Sequence, residues 1–183
     1  MSWSGGIIMK AICMLAAVLL AATPVAAESL GEKTGVNSAL GISPSTQDFV
    51  TQVAVSDMFE IQSSQLAVQR TEGPTKAFAE QMVKDHTKTS DELKALVAAG
   101  TVKEKPPVML DSTHQKLLDE LGKLQGADFT KQYHSVQVDA HEDAVSLFER
   151  YAKGGENAQL KDWAGKTLPA LQHHLDMAKK LVD

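Results

Sequence analysis

A chain of 183 residues with 43% hydrophobic and 5% aromatic side chains is long enough for one domain with a buried core. Its formal net charge of -5 suggests no electrostatic footprint for nucleic acid or anionic lipid, so nucleic acid is not expected as a partner and the acidic balance reads as solubility. The single cysteine, Cys13, excludes a disulfide framework.

Lys10 precedes the apolar run Ala11 to Ala22, and Thr23, Pro24, Val25, Ala26 and Ala27 form a small-residue exit, the pattern of a signal peptide cleaved near Ala27. The run of about 12 apolar residues falls short of the roughly 20 a membrane span needs, so none is expected after cleavage. An uncleaved N-terminal anchor is the alternative. Cys13 lies within the run and its surroundings do not resemble a lipoprotein acceptor site, so the mature chain carries no thiol and rests on core packing. The expected destination is the periplasm or the exterior. The expected organisation is a signal peptide over 1–27, a flexible leader over 28–44 and one helical domain over 45–183.

The leader, ESLGEKTGVNSALGIS, is rich in Gly, Ser and charge without a period. Helical periodicity begins at Ser45, which with Asp48 three residues on makes a capping-box signature. At about 100° per residue, Phe49, Val50, Val53, Ile61, Ala67 and Val68 share an arc of about 120°, and Glu60 lies inside it. Gly73 and Pro74 end this helix and open the next, which runs to about Ala98 with Phe78, Met82, Leu93, Leu96 and Val97 inward. His86 sits near the centre of that face and Asp85 at its edge.

Gly100, Pro106 and Pro107 then interrupt the pattern. A shorter amphipathic piece, Ser112 to Leu124, opens with Ser112 three residues before Gln115, a second capping-box candidate. The next helix spans about Ala127 to Lys153 and turns Phe129, Tyr133, Ala144, Leu147, Phe148 and Tyr151 inward, with His141 among them and His134 at the margin. Gly154 and Gly155 close it. Asn157 caps the last helix, whose inward residues include Leu160, Trp163, Leu171, Leu175, Ala178 and His174. Pro169 removes a backbone donor there, and a kink is expected. Four long helices with one extended connection predict an all-α four-helix bundle of the crossover kind, with a short extra helix in that connection.

A Gly-rich phosphate loop, a G-x-S-x-G elbow, a C-x-x-C pair and an H-E-x-x-H motif are all missing, which lowers the expectation of an enzyme. Instead each long helix carries one metal-capable side chain on its buried face: Glu60, His86, His141 and His174. Counted from the turns at about 1.5 Å per residue, Glu60, His86 and His141 come to one level, while His174 falls roughly 9 Å away, level with His134. Asp57, one turn before Glu60, is an additional inward oxygen donor. Imidazoles with a carboxylate suit iron, zinc, copper or manganese without selecting among them. The same residues also fit a metal-free hydrogen-bond network that fixes helix register. A third reading, His86 as a base activated by Asp85, is weakened because sequence neighbours point to different azimuths on a helix.

The segments EIQSSQLAVQR (Glu60 to Arg70), KAFAEQMVKDHTK (Lys76 to Lys88), AHEDAVSLFERYA (Ala140 to Ala152) and TLPALQHHL (Thr167 to Leu175) together resemble the bacterial exported family catalogued as domain of unknown function 4142. The resemblance covers about Gln47 to Lys180 and implies a ferritin-like bundle. Its recurring polar positions match Glu60, Asp85 with His86, His141 and His174. It implies no activity. Carboxylate-bridged di-iron bundles use two Glu-x-x-His pairs, whereas Glu80, Glu142 and Glu149 are followed three residues on by Val83, Val145 and Ala152, so ferroxidase or di-iron oxygenase chemistry is not expected. The resulting expectation is a periplasmic ferritin-like bundle holding a divalent transition metal through Glu60, His86 and His141, with His174 as a weaker member, in envelope stress or metal handling. The alternative is a metal-free structural or protein-interaction module of the envelope, its partner unknown.

Overall fold

The computed structural model describes residues 29–182, so the expected signal peptide lies outside the described residues. In chain order the helices are α1 (Leu30–Lys33), α2 (Val36–Ala39), α3 (Thr46–Arg70), α4 (Gly73–Ala98), α5 (Ser112–Lys123), α6 (Gly126–Gly154) and α7 (Ala158–Val182). The four long ones form the bundle, and α5 lies in the crossover between α4 and α6.

Two apolar clusters reveal the direction of each helix. Phe49, Leu93, Tyr151 and Leu160 gather in one, and Ala67, Phe78, Phe129 and Ala178 in the other. The start of α3 therefore shares an end with the close of α4 and α6 and the start of α7. Helices α4 and α6 run parallel, as do α3 and α7, which is the arrangement a long crossover produces. Between the clusters lies a layer of buried polar side chains: Asp57, Glu60, His86, Gln137, His141 and His174.

Local chemistry sets the boundaries. Ser45 Oγ accepts the Asp48 amide at 3.1 Å, which satisfies one of the free donors at the start of α3. Gly73, at φ 59°, makes the reversal from α3 to α4 in a conformation that L side chains rarely adopt. Asn157 Oδ1 accepts the amides of Gln159 at 3.1 Å and Leu160 at 3.0 Å, capping α7. The cap of α5 is Asp111, whose Oδ1 takes the amides of Thr113 at 2.8 Å and His114 at 2.9 Å. Ser112, expected in that role, is already the first helical residue, because the acidic side chain before it is the stronger acceptor. Helix α7 runs unbroken through Pro169.

The stretch expected to be a flexible leader is structured from Ser29 onward. Asp48 Oδ1 accepts the Ser29 amide at 2.7 Å. Buried Glu32 pairs with the two terminal guanidinium nitrogens of Arg150 on α6, at 2.9 and 3.1 Å, and also accepts from Asn37 and Gln52. These contacts are polar and mostly long-range, with no apolar periodicity behind them.

Candidate metal centre

His86, His141 and His174 come from α4, α6 and α7, at the level where the two apolar clusters meet. Their ring centroids lie 5.5 to 5.6 Å apart, and one ring nitrogen of each lies within 4.8 Å of those of the other two. All three side chains are buried.

Each ring is held by its outer nitrogen. His86 Nδ1–H donates to Asp57 Oδ1 at 2.8 Å, and Ser90 donates to the other Asp57 oxygen at 3.2 Å. His141 Nδ1–H donates to the Gln137 carbonyl at 2.8 Å, one turn earlier on α6. His174 Nε2–H donates to Asp85 Oδ2 at 2.9 Å, and Gln81 donates to that same oxygen at 2.5 Å. These bonds fix the tautomers, since a nitrogen that donates outward leaves the other with a free lone pair. The remaining nitrogens, His86 Nε2, His141 Nε2 and His174 Nδ1, are buried without a hydrogen-bond partner.

Glu60 of α3 lies in the same layer, 1% exposed, and neither carboxylate oxygen has a partner. Burial pushes its carboxyl up to about 7, against the opposing pull of His86. Desolvation pushes the His141 imidazole down to about 3, with the neighbouring His86 acting in the same direction. Burial also lowers His174, more than its bond to Asp85 restores. His86 goes the other way: burial would lower it, but the hydrogen bond and charge of Asp57 raise it. Two of the three imidazoles are thus kept neutral, the form in which a ring nitrogen can donate its lone pair to a metal.

The model of a family described as domain of unknown function (DUF4142) matches residues 31–181. The chain belongs to that family. The match begins at Gly31, so it takes in the two short helices as well as the bundle. No curated protein matches the sequence. Among solved structures, one described as CopM in the Cu(II)-bound form is similar over 77% of this chain and 97% of that chain, with a TM-score of 0.64 and 18% identity. That likeness is one of fold.

Within this DUF4142 bundle the sequence-derived candidates separate. His86, His141 and His174 converge, whereas Glu60 is in the layer but outside the set whose ligand atoms all fall within 4.8 Å of one another. The counted offset of His174 came from placing the reversal at Gly154. Because α6 continues to Gly154 and α7 starts at Ala158, the midpoint lies about two residues later, which halves the offset to roughly 4.5 Å, within the reach of side chains. His134 stays out of the site and pairs with Thr75 at 2.8 Å. Asp85 serves His174, not His86, so the Asp85–His86 dyad does not form. Asp57 acts through His86 Nδ1, and Ser64 bonds the Tyr133 hydroxyl at 2.8 Å. Sequence reasoning missed Gln137, buried on α6; its position four residues before an inward histidine was the available signal.

Proposed function

We propose that this protein binds one transition-metal ion through His86, His141 and His174, with Glu60 as the adjoining carboxylate, and that it serves metal handling in an exported setting. The observation that carries this reading is the pairing of the nitrogens: every outer nitrogen is anchored, and every inner one is buried with nothing to bond. A ligating histidine with its other nitrogen held by a carboxylate or a backbone carbonyl is the arrangement that orients imidazoles toward a metal. A tetrahedral ion at about 2.0–2.1 Å sets its nitrogens roughly 3.4 Å apart, so ring nitrogens already within 4.8 Å need only close inward.

Three imidazoles suit zinc, copper and iron, with manganese favoured only if Glu60 and solvent oxygens join. A bundle of similar fold in a Cu(II)-bound form makes copper the first ion to test. The metal-free network reading leaves three ring nitrogens and a carboxylate buried and unmatched, each costing about 1–3 kcal/mol or more. The test is metal content and calorimetry on the untagged mature chain with Cu(II), Zn(II), Fe(II) and Mn(II). One ion per chain, lost in His141→Ala, is expected. Absence of binding by all four ions sinks the reading.

A further inference from the structure

The following rests on the metal reading and extends it to the route of the ion. His86, His141 and His174 are 2%, 1% and 3% exposed. An ion therefore arrives by local opening, and the three walls are unequal. Behind His86 stands Asp57, its side chain 4% exposed, and behind His141 stands the backbone of its own helix. Behind His174 stands Asp85, whose side chain is 27% exposed, so between α4 and α7 one carboxylate separates the site from water.

Helix α7 is also weakened just before His174. Pro169 has no amide hydrogen, so the carbonyl of Gly165 lacks its helical donor, and Gly165 itself lowers helix propensity in the same two turns. Both residues are exposed, and the helix is otherwise continuous to Val182. A segment with a missing bond and a glycine opens at lower free energy than its neighbours.

We propose that the ion enters and leaves through the α4–α7 seam, where Asp85 receives it at the surface and the part of α7 beyond Gly165–Pro169 swings to bring His174 to it. Asp85 is then a positioning residue with two tasks. It holds the ring of His174 in the closed state and attracts the cation in the open one.

The experiment is stopped-flow uptake of Cu(II), or of Zn(II) if that is the ion bound, and release to EDTA, at low ionic strength. Asp85→Asn keeps an acceptor for His174 and removes the charge; uptake should slow about tenfold, as expected for loss of local steering. Gly165→Ala places its Cβ 3.8 Å from that of Ala152, an ordinary contact, and should slow uptake and release alike by about fivefold through its gain in helix propensity. Stoichiometry should stay unchanged in Gly165→Ala. Lys179→Ala, which breaks the Lys179–Glu142 pair over the α6–α7 seam, should leave both rates as they were. Asp85→Asn and Gly165→Ala rates within twofold of the parent, or a change in Lys179→Ala instead, overturn the route. Amide exchange on the metal-free chain separates this failure from that of the metal reading: residues 170–178 should exchange faster than 137–145, and Gly165→Ala should slow them. Equal exchange in the two stretches removes the hinge whether or not metal binds.

Discussion

His86 Nδ1 lies 2.8 Å from Asp57 Oδ1 with both side chains out of water, and this pair decides which face of the imidazole looks into the bundle. Asp57→Ala removes the acceptor and frees the ring to turn. Loss of such a partner typically costs 10–100-fold in metal affinity, and the buried N–H left behind costs about 1–3 kcal/mol of stability. Competition titration against a chelator of known affinity reads the first effect and urea unfolding the second. An unchanged affinity in a folded Asp57→Ala protein would mean that His86 does not need its anchor.

Metal should raise the melting temperature of the parent chain. An ion that binds only the folded state adds about 2.7 kcal/mol when free metal is 100 times the dissociation constant. For a domain of this size each kcal/mol is worth about 2–4 °C, so a rise of roughly 5–10 °C is expected. His174→Ala should abolish the rise, since two imidazoles on α4 and α6 no longer close the centre. A rise of the same size in His174→Ala would place the ion elsewhere.

What the sequence could convey about this site follows from geometry. Periodicity put Glu60, His86, His141 and His174 on inward faces, and all four are buried, because azimuth depends only on counting residues along one helix. Depth is less legible. It depends on where a turn reverses, and a shift of two residues in the reversal between α6 and α7 moved His174 from outside the cluster into it. Partners across helices were not legible at all: Asp85 faces His174 and Asp57 faces His86, and that pairing is set by how α4 packs between α3 and α7. The ordering of the residues before α3 was hidden for the same reason, since Glu32 finds Arg150 only after α6 is in place.

The Glu32–Arg150 pair should make the protein acid-sensitive. Burial alone would raise the Glu32 carboxyl, but hydrogen bonds from Arg150, Asn37 and Gln52 and the charge of Arg150 hold it below its usual range. A folded-state pKa below the unfolded one means that this group adds stability above the unfolded value, near pH 4.5, and loses it as pH falls through the folded value. Melting temperatures between pH 7 and pH 3 should therefore fall less steeply in Glu32→Gln than in the parent, while at pH 7 Glu32→Gln is the less stable of the two. Arg150→Ala leaves the buried Glu32 charge with only the neutral donors Asn37 and Gln52 and should cost about 3 kcal/mol at pH 7. Parallel pH profiles for parent and Glu32→Gln would show that the pair carries no acid sensitivity.

Glu60→Gln separates the two readings of the polar layer by the sign of its effect. In the metal-free chain both Glu60 oxygens are buried without a donor, and Gln137 Oε1 is also without a partner. At pH 8 the carboxyl, raised to about 7, is largely ionised, and an unpaired buried charge is costly. An uncharged amide of the same shape can donate to Gln137 Oε1, so the metal-free variant should be about 1–2 kcal/mol more stable than the parent in urea at pH 8. With metal bound the order should reverse, because Asp57 is already taken up by His86 and Ser90, and Glu60 is the α3 carboxylate left without a partner to offset the charge of the ion. If the layer is instead a hydrogen-bond network that fixes register, Glu60→Gln loses stability with and without metal.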